Sequence, residues 1–280
     1  MTTTSMNRRL LVLAVVVAVL LVVTAGVAFG VRLLLRAASG TTTATACTVG
    51  DYTVDPDQAS VAATMVGVVI TRGLPERAAV LALAAGLQES KLRNLASGSG
   101  DRDSVGVLQQ RPSQGWGTVE QLSDLHYATG KFLDALIKLP NWQTEPLADA
   151  IQAVQISADG SLYAQHEGEA QALADAFTGA TPAGIDCTFP TPKTPATVAE
   201  VSAGVSADLP VNAPSVDPAR RSVTVPGAAW ATAAWFVANA QRFGLDSVGY
   251  NQRQWTRGKG WHTSITVDAT SVVTVLHKTS

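Results

Sequence analysis

The first long hydrophobic pattern in the chain runs from Leu10 to Val31, 22 residues without a charge. At about 1.5 Å per residue this is ~33 Å of helix, enough to cross a hydrocarbon core of ~30 Å. A signal-peptide core is shorter, roughly 7–15 residues. The pattern therefore predicts a retained membrane anchor over residues 10–36, with cleavage near the small residues Ala25, Gly26 and Ala28 as the alternative. Arg8 and Arg9 precede the span and Arg32 and Arg36 follow it, so the flanking charges give a near tie for orientation. Residues 1–9 are too few to fold, which puts everything foldable on the far side of the membrane.

Residues 37–54, rich in Thr, Ala, Ser and Gly, read as a stalk. Asp55, Pro56 and Gln58 then form a helix start of capping-box type, followed by Val61, Met65, Val68 and Val69 on one face and by Gly73 as the stop. A second helix begins at Pro75–Glu76 and runs to Ser90. It is apolar almost all round, as in a helix buried within a domain. The Gly-, Ser- and Asp-rich stretch from Lys91 to Thr118 is irregular, and SVGVLQQRP within it predicts a short strand or hairpin. Thr118 with Gln121 starts a helix to Leu139, Pro146 opens another to Ile156, and a last one spans Tyr163 to Phe177. Residues 55–187 thus read as a mostly α module.

The texture changes after Thr188. Seven of the 13 prolines fall within residues 188–226, which predicts a semi-extended linker. Residues 227–280 then predict a small α+β unit: a helix from Gly227 to Phe243, with Trp230, Ala234, Val237 and Phe243 near one face, and four strands at Ser247–Tyr250, Arg253–Thr256, His262–Val267 and Val272–His277. About 55 residues make a marginal independent core, so this unit is expected to dock on the first.

Charge and cysteines sharpen the picture. The net charge is −2, and the four arginines of residues 1–36 stand there without any acid, so the remainder is more acidic still. That disfavours nucleic-acid binding, which calls for a basic face. Cys47 and Cys187 are the only cysteines. They lack CxxC spacing and bracket the first module, as one disulfide in an oxidising compartment would; two separate buried thiols are the alternative. Closing so long a loop stabilises a fold by about 4 to 5 kcal/mol on the chain-entropy model.

GxSxG, P-loop and HExxH signatures are absent, and His126, His166, His262 and His277 show no metal-ligand spacing. The stretch from Asp101 to Gly106 starts like a calcium loop but carries Val105 and Pro112 where ligands are required. No metal or cofactor is implied. Glu89 is the distinctive residue. It ends a buried apolar helix, and a carboxyl group kept neutral in such a place can protonate a leaving oxygen, as glycosidic bond cleavage requires.

The ordered set Glu89–Ser90, Ser104-x-Gly106-x-Leu108-Gln109 and Pro112 resembles bacterial lytic transglycosylases and goose-type lysozymes. LQESKLRN, GDRDSVGVLQQRPSQGWG and the segment around AVQIS and LYAQHE are similar to a lysozyme-like family of secreted or anchored cell-wall proteins. The resemblance covers about residues 55–177 and implies a lysozyme-like helical domain. By position, Glu89 matches the catalytic acid, and Ser104 and Gln109 match substrate-orienting residues. Gln155 lies where transglycosylases often carry Ala-Tyr-Asn; here the segment reads Ala153-Val154-Gln155, so Tyr163 just downstream is expected to line the cleft instead. Trp116 offers either a stacking face for sugar or core packing. Asp101 and Asp103 are candidates for a second carboxylate. One across the cleft from Glu89 would permit hydrolysis, whereas a single acid suits closure by the substrate's own 6-hydroxyl to a 1,6-anhydro sugar.

The sequence therefore predicts a single-pass membrane protein, mostly α, with a small α+β C-terminal unit. Its expected activity is extracytoplasmic cleavage of peptidoglycan glycan strands, as a lytic transglycosylase or muramidase. The alternative is an inactive glycan-binding or scaffold protein of the cell envelope, within a secretion or conjugation apparatus or alone. Residues 227–280 are then free to engage an envelope protein partner.

Overall fold

The computed structural model describes residues 45–156 and 160–278. The expected anchor over residues 10–36 lies outside them, and among the described residues no helix is long and apolar enough to cross a membrane. The mostly α expectation is corrected. Among the described residues the fold is mixed α/β, 44% helical and 18% strand, with the strands in two antiparallel sheets.

Part of the additional strand comes from the supposed stalk. Residues ACTVGDYTV alternate apolar and polar positions and turn at Gly50, whose φ is +55°. They form β1 (Ala46–Val49) and β2 (Tyr52–Val54), and β3 (Ile185–Thr188) pairs with the other edge of β1, giving the order β2-β1-β3. This register sets Cys47 directly opposite Cys187, with Cα atoms 4.0 Å apart, and the two form a disulfide.

The helix starts written into the sequence are present. α1 (Pro56–Thr71) opens on Asp55, with the Gln58 carboxamide accepting the Asp55 N–H at 2.7 Å. α2 (Glu76–Ser90) is the central element, buried at every position from Ala78 to Leu87. It packs against α1 and α6 (Glu167–Thr178), its alanines allowing close approach. The helix expected from Thr118 to Leu139 is split instead. α3 (Val119–Ser123) is capped by Thr118, and α4 (Leu125–Leu136) restarts on Asp124, whose carboxylate accepts the N–H groups of His126 and Tyr127. A second N-cap in mid-pattern ends one helix and begins another. α5 spans Leu147–Gln155, and Ser161–His166 form a 3-10 turn leading into α6.

The largest departure is the supposed linker. Residues 198–226 hold α7 (Val198–Asp208), β4 (Ser215–Asp217) and β5 (Ser222–Pro226). A capping box starts α7: Thr197 Oγ1 accepts the Glu200 N–H, and Glu200 Oε2 accepts the Thr197 N–H. Val201 and Val205, four apart, bury one face. The prolines punctuate these elements rather than extending the chain.

α8 (Trp230–Ala238) and α9 (Ala240–Phe243) follow, separated at fully buried Asn239. Then come β6 (Leu245–Tyr250), β7 (Arg253–Thr256), β8 (Gly260–Thr263) and β9 (Ser271–Leu276). The sheet order is β4-β5-β9-β6-β7-β8, so the supposed linker supplies two strands of the C-terminal sheet. The described residues form one compact unit. α8 packs on α1, α6 and β3, and Trp255 Nε1 donates to Asp186 Oδ1 and Cys187 O, each at 3.1 Å. The Trp261 indole donates to Ile185 O at 2.7 Å. These two indoles hold the C-terminal sheet to the disulfide-bonded strand.

A polar knot completes the joint. Asp208, at the end of α7 and only 7% exposed, meets Thr64 of α1, His126 of α4 and Trp235 of α8 at 2.8, 2.9 and 2.8 Å. Four helices thus share one carboxylate. Gly67 allows the approach, since a side chain there would collide with the Asp208 carbonyl.

Candidate functional site

Glu89 sits at the last turn of α2, and the residue after it explains how the turn meets the loop beyond. Ser90 Oγ donates to Val107 O at 2.8 Å and accepts the Arg93 N–H at 3.1 Å. This stitches the helix end to the loop carrying Gly106, Leu108 and Gln109. Gly106 has a φ of +78°, and a Cβ there would drive into the Leu122 carbonyl. Only glycine suits that place. Its N–H donates to Leu95 O at 2.8 Å, and Val105 and Gln110 form an isolated antiparallel bridge. The predicted hairpin is reduced to that single bridge.

The helix end and the loop border a cleft of about 810 Å³. Glu89, Asp101, Ser104, Gln109, Trp116 and Gln155 all line it, so residues 66 positions apart in sequence are gathered around one space. Gln109 Nε2 donates to Gly106 O at 2.9 Å, and its carboxamide occupies the space left by the absent side chain of Gly100. Ser104 is buried and accepts from Arg111 Nε at 3.2 Å, so it orients Arg111 from beneath. Trp116 is half-buried, packed partly on the core and partly facing the cleft. Gln155 donates to Leu108 O at 2.9 Å and reaches Glu89 Oε1 at 3.5 Å.

Two placements differ from expectation. Tyr163 does not line the cleft: it is 2% exposed, lies behind Glu89 and donates its hydroxyl to Glu89 Oε1 at 2.6 Å. Burial of its ring in the core turns an expected sugar contact into a support for the carboxyl. Asp103 is likewise outside the cleft lining. Its carboxylate accepts the Ser113 N–H at 2.8 Å and staples the loop; the Ser113 N–H and then its hydroxyl hold the Asp103 carboxyl below the usual carboxylate range. Asp101 is the one of the two that borders the cleft, paired with Arg111 at 3.0 Å and Arg102 at 3.7 Å.

Arg111, Gln114 and Ile156 also line the cleft and were not singled out from the sequence. Arg111 carries no local signal. Its importance comes from reaching back to Ser104 and Asp101, seven and ten residues earlier, across the irregular loop.

Chemically, the site offers a carboxyl group with its two oxygens differentiated. Tyr163 and Gln155 address Oε1, while Oε2 has no hydrogen bond from the described residues. Two acidic side chains, Glu89 and Asp101, and two guanidinium groups, Arg102 and Arg111, line the cleft. The amides of Gln109 and Gln114 bring donors and acceptors to the cleft, whereas the Gln155 amide donates to Leu108 O and Glu89 Oε1; such a lining suits a ligand rich in hydroxyl and amide groups. No group of three or more His, Cys, Asp or Glu side chains gathers into a metal site among the described residues. The disulfide is consistent with an extracytoplasmic location. No protein-family model and no curated protein matches the chain.

Proposed function

We propose that this protein cleaves the glycan strands of peptidoglycan, with Glu89 as the general acid. The observation that carries the reading is the Glu89 carboxyl, clamped at Oε1 by a buried tyrosine and bordering the cleft. Fixing one oxygen leaves the other to hold a proton for the scissile glycosidic oxygen. Gln109 and Gln114 supply hydrogen-bonding partners for the acetamido and hydroxyl groups of the strand, and Trp116 a surface for a ring face. The ordered Glu89–Ser90, Gly106, Gln109 and Pro112 set, similar to that of lytic transglycosylases and goose-type lysozymes, supports the same reading. Extracytoplasmic display places the cleft beside its polymer, with residues 10–36 as the tether inferred from sequence.

Asp101 decides the chemistry of the second step. As a base or nucleophile it yields a reducing end; without that role the substrate's 6-hydroxyl closes the ring to a 1,6-anhydro end. In a digest of purified cell wall, wild-type protein releases muropeptides and Glu89→Gln does not. Mass spectrometry of the ends names the product class. Equal release by both proteins removes Glu89 from the mechanism.

A second reading is a glycan-binding protein without turnover. It is favoured by Gln155, which stands where an Ala-Tyr-Asn segment is expected and donates chiefly to Leu108 O rather than into the cleft. Saturable glycan binding with no product after prolonged incubation identifies this case.

A further inference from the structure

Ile156 closes α5 in the left-handed region, with φ 53° and ψ 40°, its N–H bonded to Gln152 O at 2.8 Å. Glycine or asparagine is the ordinary occupant of such a helix cap. A β-branched side chain is disfavoured there because its Cβ substituents crowd the backbone. Ile156 is also 83% exposed. Among the described residues it is the only β-branched one with a positive φ. Leu92 provides the comparison: it is left-handed too, with a φ of +54°, but it is fully buried, so core packing offsets the strain. At Ile156 neither the backbone nor the surrounding water favours the side chain present.

Its position supplies a reason. Ile156 lines the same cleft as Glu89 and directly follows Gln155, which reaches that carboxyl. We infer that Ile156 is a substrate-binding residue, a strained apolar edge of the cleft that packs against the C–H face of a sugar ring in the bound glycan strand. Strained backbone clusters at ligand-binding positions, and a ligand that covers the side chain removes its apolar surface from water. The ligand class follows the reading of the cleft as a glycan site, on which this inference rests.

The test uses the full chain carrying Glu89→Gln, which separates binding from turnover. Affinity for soluble glycan strands freed of stem peptides is measured calorimetrically, with and without Ile156→Gly, beside the melting temperature of each protein. Glycine relieves the backbone and removes the apolar surface. The expected result is an unchanged or raised melting temperature together with about tenfold weaker binding. Ile156→Leu, which keeps an apolar surface, restores most of the affinity. Equal affinity for Ile156→Gly, or no glycan binding by any of these proteins, overturns the inference. The proposed activity fails by a different result, undiminished wall digestion by Glu89→Gln.

Discussion

The hydroxyl of Tyr163 donates to Glu89 Oε1 at 2.6 Å from a side chain only 2% exposed. The two residues are 74 positions apart, on the 3-10 turn and at the end of α2, and the bond gives the two carboxyl oxygens different surroundings. Tyr163→Phe keeps the ring and deletes the donor. On the proposed mechanism kcat falls about 10- to 100-fold while KM stays near wild type, because Tyr163 acts through Glu89 and not on the sugar. Steady-state kinetics on soluble glycan strands reads the split; an unchanged kcat removes the positioning role.

Gly106 carries two separable demands, a φ of +78° and contact with the Leu122 carbonyl. Gly115 has a φ of +80° with nothing near its missing side chain. Gly115→Ala is expected to cost about 1 kcal/mol from the backbone alone, and Gly106→Ala about 2 to 4 kcal/mol. Urea unfolding of both variants measures the difference. Equal losses show that the loop moves aside freely and that the collision contributes nothing.

The His126–Asp208 contact makes stability depend on pH. Its hydrogen bond with Asp208 raises the His126 imidazole above its ordinary range, against the opposing effect of burial. Burial alone would raise the Asp208 carboxyl, but hydrogen bonds from His126, Trp235 and Thr64 prevail and hold it below its ordinary range. The histidine's contribution is fully present below its unfolded value and is lost as pH rises through the raised folded value. The carboxylate's contribution is present above its unfolded value and is lost as pH falls through the depressed one. Melting temperature should therefore decline across the neutral range in wild type, and this step should disappear in His126→Asn. A step of the same size in both proteins assigns it to another group.

The disulfide closes a sequence separation of 140 residues at paired strand positions. Cys47→Ser/Cys187→Ser should lower stability by about 4 to 5 kcal/mol on the chain-entropy model, a fall in melting temperature of roughly 10 to 20 °C. Reductant should lower the wild type toward the double variant and leave the variant itself unmoved. Coincident melting curves for both proteins without reductant rule out a stabilising cross-link.

Local chemistry made several elements readable. Asp55 with Gln58 and Thr118 with Gln121 are capping boxes whose partners lie three residues apart, so a short stretch of sequence contains the whole interaction. The uniform apolarity of α2 marks a buried helix for the same reason, as every position from Ala78 to Leu87 must leave water. Thr197 with Glu200 was equally local, yet the surrounding prolines suggested an extended linker. Composition obscured a helix whose cap was in plain view.

What tertiary structure alone decided are relationships between distant residues. Sequence singled out Glu89 but set Tyr163 on the cleft, because one-dimensional order cannot separate a ring that faces a ligand from one that lies behind the carboxyl. It assigned Asp101 and Asp103 the same role, although only Asp101 reaches the cleft while Asp103 bonds to Ser113. It divided the chain at residue 188, whereas Asp208 joins Thr64, His126 and Trp235, and the Trp255 indole reaches Cys187 O. Helix caps and apolar runs are set within a few residues of backbone. The aim of a side chain, and the merging of two modules into one core, depend on contacts between segments that chain order leaves far apart.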